Sequence, residues 1–350
     1  MIHTNVELHN VAELRRVDPF EGLCFQRVPE DVRSCLNEGA QGAMLHPACV
    51  EIRFVSDVPT TKITLSCPEG TTEVLVFFGL FQCPERFQIG RRPQTIEVTL
   101  PEQIRDLPPA LNGPGTFAPC VRRVVLGGSP AFLHDVEGEG LRPPAPDEVP
   151  ALRYLAYGTS ITHGFNATGP HLCYVAQAAR HLGADLINLG VGGSAFCEPE
   201  LADYMAGRDD WHVASLALSV NMIHHEFSLD DFYERVSYMV NTVAGADRAR
   251  PVFCITIYPY YGDHWNVLPP ECKGRPEEFR QRLRDAVAAC PYPNAHLVEG
   301  RDILPDISGL ATDMIHPSDN GMIDMGINLA RVMADDVGLD FATDVNPSGQ

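Results

Sequence analysis

The chain has 350 residues, 45% hydrophobic and 21% charged, a length that suggests about two domains, each able to bury its own core. Its 26 basic and 46 acidic side chains give a net charge of −20, a field that repels nucleic acid and anionic membranes and so counts against both as partners. The opening stretch MIHTNVELHNVAEL lacks the basic segment and apolar run of about 7–15 residues of a signal peptide, and no apolar stretch approaches the ~20 residues that span a bilayer.

In chain order, the first half carries short β-rich runs: ACVEIRFVSDV, TKITLSC, TEVLVFFGLF, TIEVTL and RRVVLGG. Gly, Pro and Glu clusters separate them and few helical stretches intervene. That spacing predicts an all-β sandwich of jelly-roll type over residues 1–141. The stretch GLRPPAPDEVPAL concentrates four prolines and reads as a linker, placed at 142–150.

From residue 151 to 340 the texture alternates, with a tail at 341–350. Strand-like runs occur at RYLAYGT, ADLINLG, VASLALSV, PVFCITIYP and NAHLVEG. Helix-like segments lie between and after them: GPHLCYVAQAARHLG, SLDDFYERVSYMVNTVAGA, PEEFRQRLRDAVAAC and SDNGMIDMGINLARVMADDVG. Alternation with continuous apolar strands predicts a parallel sheet covered on both faces. All ten tyrosines and both tryptophans fall after residue 150. Because these side chains pair an apolar face with a polar tip, this half is expected to hold the binding site.

Ligands of open parallel sheets bind beyond the carboxyl ends of the strands, so the residues delivered there matter most. The first strand delivers Ser160 in YGTSITHG, and the second delivers Gly192, Gly193 and Ser194 in INLGVGGSAF. The third delivers Asn221 in LALSVNMIHH, and DMIHPSDNGM, before the last helix, carries Asp313 and His316. These four blocks, in this order over about residues 151–337, resemble the SGNH (GDSL-type) hydrolase superfamily. Thr159 stands where the first block usually has Asp, and Ser219-Val220-Asn221-Met222 stands for the usual Gly-x-Asn-Asp. The resemblance implies a flavodoxin-like three-layer α/β/α domain and a serine esterase that needs no cofactor. A β-sandwich before such a domain also resembles the layout of carbohydrate esterases that remove acetyl groups.

The residue chemistry agrees with those implied roles. A serine hydroxyl attacks an ester only when a base takes its proton. His316 can be that base, and Asp313, three residues earlier, can accept the imidazole Nδ1 proton. The backbone N–H groups of Ser160 and Gly193 and the amide of Asn221 can stabilise the oxyanion. Glycine at 193 is expected to let the backbone come close. Taken singly, each block has a plainer reading: Ser160 as a turn serine, Asn221 as a cap, and HPSDNG as the start of a helix capped by Ser318 or Asp319.

Around these residues His163, His224, Tyr260, Tyr261 and Trp265 are the expected pocket residues, with His264 in the same aromatic loop. His224 and His225 invite a metal reading, but consecutive residues point apart and no Cys or His at ligand spacing accompanies them. His46 and Cys49 form half of a zinc pattern without its other half. No metal site is expected. The substrate is expected to be a small-molecule or carbohydrate ester with a short acyl group. Longer acyl chains, as for a lipase or thioesterase, and a non-catalytic binding protein on the same fold are the alternatives. The first half lacks Trp and Tyr, so it is expected to pack, to wall the cleft or to form an oligomer interface, which leaves a homo-oligomer open. Eleven scattered cysteines without a secretion signal read as buried thiols in a reducing cytoplasm.

Overall fold

The computed structural model describes residues 1–107, 116–263 and 275–337, with side chains through residue 334. The described chain forms two compact units. One holds Met1–Ser34, Gln41–Leu152 and Gly169–His171; the other holds Cys35–Ala40, Arg153–Thr168 and the described residues from Leu172 onward.

The first unit is a β-sandwich. Its strands are β1 (Ile2–His3), β2 (Val6–His9), β3 (Glu13–Arg15), β4 (Leu23–Gln26), β5 (Ala48–Phe54), β6 (Thr60–Ser66), β7 (Thr72–Phe78), β8 (Phe81–Ile89), β9 (Gln94–Thr99), β10 (Arg122–Gly128) and β11 (Phe132–Glu137). One sheet runs β1-β2-β5-β10-β7-β8 and the other β3-β4-β11-β6-β9. Strand β10 pairs antiparallel with both neighbours, placing Val124 opposite Ile52 and Val76. These three, with Ile63, Ile96 and Val136 of the facing sheet, belong to one buried cluster, as two inward faces of alternating strands require. Alternation turns the neighbours of Ile52 to the other face of β5, where they are nevertheless buried. There Glu51 accepts from Arg53 Nε at 2.8 Å and Arg123 Nη2 at 2.6 Å, and both guanidinium groups stack on Phe117.

The five β-rich runs read from the sequence correspond to β5, β6, β7, β9 and β10, but TEVLVFFGLF is not one strand. It breaks at Gly79, whose φ of +60° suits glycine, and β8 begins two residues later. Within the proline-rich stretch Arg142 exchanges backbone hydrogen bonds with Val55 at 2.9 and 3.1 Å and pairs with both carboxylate oxygens of Glu148.

The second unit is a three-layer α/β/α domain. Its strands are β12 (Leu152–Gly158), β13 (Ala184–Gly190), β14 (Val213–Ala217), β15 (Val252–Ile255) and β16 (Ala295–Val298), ordered β13-β12-β14-β15-β16. Parallel pairing joins β12, β14, β15 and β16. Every residue of β13, β14 and β15 is buried, which explains their continuous apolar runs. Helices Tyr174–Leu182 and Asp319–Val337 pack together, and Leu229–Ala246 packs with both Pro199–Ala206 and Arg275–Ala289. Ser228 caps Leu229–Ala246 by accepting from Asp231 N at 3.0 Å, with two acidic residues in the first turn complementing the helix dipole.

The order is that of flavodoxin-like sheets, and its reversal at β12 opens a crevice beyond the strand ends. There lies the candidate site. Part of the tyrosine asymmetry has a cause other than the one expected. Tyr154, Tyr157, Tyr174 and Trp211 are fully buried, with their polar tips bonded to Ser215, Cys197, Thr162 and Met205. They belong to the core of the α/β/α layers rather than to a pocket. No helix among the described residues is long and apolar enough to cross a membrane.

Candidate active site

Strand β12 ends at Gly158, and Thr159 is extended (φ −87°, ψ −158°) before the chain turns into the short helix Ser160–His163. A Cβ at Gly158 would collide with Thr162 Oγ1, so this strand-to-helix turn needs glycine. Gly164 ends the helix at φ +104°, where its N–H reaches Ser160 O at 3.0 Å. Ser160 is thus held at the strand's carboxyl end with only 9% of its surface exposed.

Its Oγ lies 2.8 Å from His316 Nε2, and His316 Nδ1 lies 2.8 Å from Asp313 Oδ2. The loop carrying both partners is pinned at either side, by Ala311 N to His316 O at 2.7 Å and Ser318 N to Gly309 O at 2.8 Å. Asp313 Oδ1 accepts the backbone N–H groups of Ile315 and His316, each at 3.0 Å. Partial burial pushes the Asp313 carboxyl up, but these two N–H groups and the His316 imidazole outweigh it and bring it down to about 2. The carboxylate is therefore charged at neutral pH and orients His316 through Nδ1–H, leaving Nε2 to accept from the serine. The helix-start reading of HPSDNG also holds: Ser318 Oγ accepts from Gly321 N at 3.3 Å, while His316 stays with Ser160.

The other two blocks come to the same place by a network around Ala195. Asn221, 8% exposed, lies on the short helix Val220–His224 after β14. Its Oδ1 accepts from Ala195 N at 3.2 Å, and Ser219 Oγ donates to Ala195 O at 2.6 Å. With its oxygen committed, the Asn221 amide keeps its Nδ2 donor without a partner among the described residues. Gly193 precedes this anchored segment at φ +74°, and a Cβ there would meet nothing within 4 Å. The left-handed backbone at 193 by itself calls for glycine. Within the protein the backbone comes close at Gly190, where a Cβ would collide with His163 N.

The expected pocket residues divide. His163 turns its Nδ1 to Gly190 O at 3.2 Å, a contact that ties the first block to the end of β13. His224 lies 5.8 Å, centroid to centroid, from both Tyr260 and Tyr261, with Tyr261 OH 3.4 Å from its Nδ1. Burial, then the neighbouring His225, lowers the His224 pKa, favouring a neutral ring. His225 instead packs edge-on to Phe196. Among the described residues no group of three His, Cys, Asp or Glu side chains is arranged to hold a metal. Trp265 and His264 lie outside the described residues. A cavity lined by Thr159, Ile161, Val220, Tyr260 and Ile315 leaves about 20 Å³ open to the centre of a water molecule, room for about one small group.

Two neighbours of the histidine escaped the sequence reading. Asn166 Nδ2 donates to Asp313 Oδ2 at 3.0 Å, the oxygen that faces His316. Phe165, 56% exposed, packs against the His316 ring with centroids 4.7 Å apart and planes tilted by 51°. Asn166 holds a left-handed backbone at φ +69°, which Asn tolerates better than most residues, and nothing in its sequence neighbourhood names Asp313 as its partner.

The sequence profile of the GDSL-like lipase/acylhydrolase family matches residues 153–334. A search of curated proteins finds no match. Among solved structures, a salicylyl-acyltransferase from a tetracycline biosynthetic pathway is similar at a TM-score of 0.76 and 17% identity, over 95% of each chain. A family two carbohydrate esterase from Cellvibrio japonicus aligns at 0.63 and 11% identity, over 96% of each chain. Another, from Clostridium thermocellum in complex with cellohexaose, aligns at 0.57 and 15%, over 84% of this chain and 94% of that one. At such identities the likeness concerns the fold.

Proposed function

This chain belongs to the GDSL-like lipase/acylhydrolase family, and on that premise we propose that it hydrolyses a carboxylic ester through an acyl-enzyme on Ser160. The observation that carries the reading is the continuous chain Ser160 Oγ–His316–Asp313, with both links at 2.8 Å. Ser160 attacks the ester carbonyl as its proton passes to His316 Nε2, and Asp313 stabilises the imidazolium. The oxyanion is met by the N–H groups of Ser160 and Gly193 and by Asn221 Nδ2. His316 returns the proton to the departing alcohol oxygen. Water then attacks the acyl-enzyme, with His316 again taking the proton, and releases the carboxylic acid and Ser160. In this reading each proton passes between His316 and Ser160, the departing alcohol or water, and no cofactor takes part.

The acyl group in this reading is short, acetyl above all, and the alcohol is a carbohydrate or another small molecule. A small cavity lined by Thr159 and Ile161, the chain neighbours of Ser160, supports it, because it has room for a short acyl group. The exposed Phe165 favours the second reading, hydrolysis of longer acyl esters, since it offers apolar surface at the histidine. The net charge of −20 speaks for a small substrate over nucleic acid or membrane. A reducing cytoplasm suits the buried thiols Cys24, Cys67, Cys197 and Cys254. A p-nitrophenyl ester panel from acetyl to palmitoyl, run beside acetylated sugars, tests the reading. The expected kcat/KM maximum is at acetyl or propionyl, falling by octanoyl. A channel that buried the chain would gain about 0.8 kcal/mol per methylene, so a maximum at octanoyl or beyond would establish the longer-chain reading instead.

A further inference from the structure

We propose that Asn37, far from the four blocks in sequence, is a positioning residue that holds the Gly193 loop in place for the oxyanion. Residues Cys35–Ala40 belong to the α/β/α unit although they lie within the amino-terminal part of the chain. Asn37 Nδ2 donates to Ser194 O at 2.9 Å, across 157 residues of sequence, and to Glu198 Oε1. Its Oδ1 accepts from Ala40 N at 3.1 Å, capping the helix Glu38–Ala43. The cap fixes which way the amide faces, so the donor end is held toward Ser194. The two segments also touch at Gly39, where a Cβ would collide with Ser194 Oγ.

The loop needs such a hold. Gly193 is left-handed with open space at its Cβ position, so no packing from its own side chain fixes it. Downstream, Ala195 is tied through both its N–H and its carbonyl, to Asn221 and Ser219. Asn37 supplies the tie at Ser194, between the fixed Ala195 and Gly193. Three successive residues are then held in one geometry, and an oxyanion donor acts well only when it is already in position. This inference rests on the reading of Gly193 as an oxyanion donor, but the hold itself can be measured without any substrate.

The experiment compares wild type with Asn37→Ala and with the double variant Asn37→Asp/Glu198→Gln. The double variant restores a bond between positions 37 and 198, with the introduced glutamine amide as donor, but leaves Ser194 O without its donor. Hydrogen exchange across residues 190–197 is expected to speed up in both variants. Ester kcat is expected to fall about tenfold in both with KM nearly unchanged, a part of the roughly 10²–10³ lost with a direct oxyanion donor. The Ki of an aryl trifluoromethyl ketone, whose hemiketal carries the oxyanion, should rise by the same factor. Thermal stability should fall in Asn37→Ala and recover in the double variant while kcat stays low. Unchanged exchange in 190–197 would overturn the proposal, whether or not the wild-type protein cleaves esters. So would faster exchange with kcat intact, or a kcat that recovers together with stability in the double variant. Failure of the esterase reading would show separately, as a wild type without Ser160-dependent turnover.

Discussion

Two polar clusters, one in each unit, are bonded in opposite ways. In the sandwich, Glu51 is 5% exposed and is satisfied by Arg53 and Arg123. Burial alone would raise its pKa, but the two guanidinium groups lower it. In the α/β/α unit, buried Ser160 is bonded in series with half-buried His316 and exposed Asp313, and Asn221 has its oxygen committed while its nitrogen has no partner among the described residues. A matched cluster is inert and contributes stability or specificity of packing. A series with an uncommitted donor can accept the charge that develops in a reaction. The same physics of burial makes one region structural and equips the other for chemistry.

The sharpest way to break this comparison is to exchange the consequences. Ser160→Ala should reduce ester kcat by roughly 10⁴–10⁶ while the thermal midpoint stays close to wild type, since a hydroxyl is removed without adding bulk. Retention of more than a few per cent of activity by the purified variant would contradict the assignment. Glu51→Ala should do the reverse. It leaves two guanidinium groups without their buried carboxylate and should cost about 3–5 kcal/mol in urea unfolding, with kcat of the folded fraction unchanged. A loss under 1 kcal/mol would show that the cluster is not the matched site described.

Asn221→Ala should lower kcat by roughly 10²–10³ with KM little altered, because its donor acts in the transition state. An effect confined to KM would make it a substrate-binding residue. The smallest effect is expected in acid. Asp313 is held below its unfolded value, so its contribution to stability is full above the ordinary carboxylate range and is lost as pH falls toward about 2. Thermal melts from pH 5 to 2 should therefore fall less steeply for Asp313→Asn than for wild type. Parallel curves would mean that the Asp313 carboxylate gains nothing from its N–H partners.

What the sequence showed and what it hid have physical reasons. Ser160, Asn221 and His316 were legible because each sits in a short block, the first two just beyond a strand and the third in the loop before the last helix, where local residue types carry the signal. The long buried strands were legible as apolar runs. Strand β8 was not, because most of its residues are exposed, and β1 has only two residues. In β11 the register shifts between Leu133 and Asp135, which breaks the alternation a reader would follow. The supporting asparagines were hidden for another reason. Asn166 meets Asp313 across 147 residues and Asn37 meets Ser194 across 157, and an asparagine in a loop has no local pattern that names its distant partner.

Labelling with a fluorophosphonate, followed by peptide mapping, tests the central claim most directly, because it needs no knowledge of the substrate. The probe forms a bond only with a serine whose proton a neighbouring base removes. The account predicts a single phosphonylated residue, Ser160, and labelling that disappears in His316→Ala while Glu51→Gln is labelled as wild type. No adduct on Ser160, or an adduct that persists without His316, would contradict it.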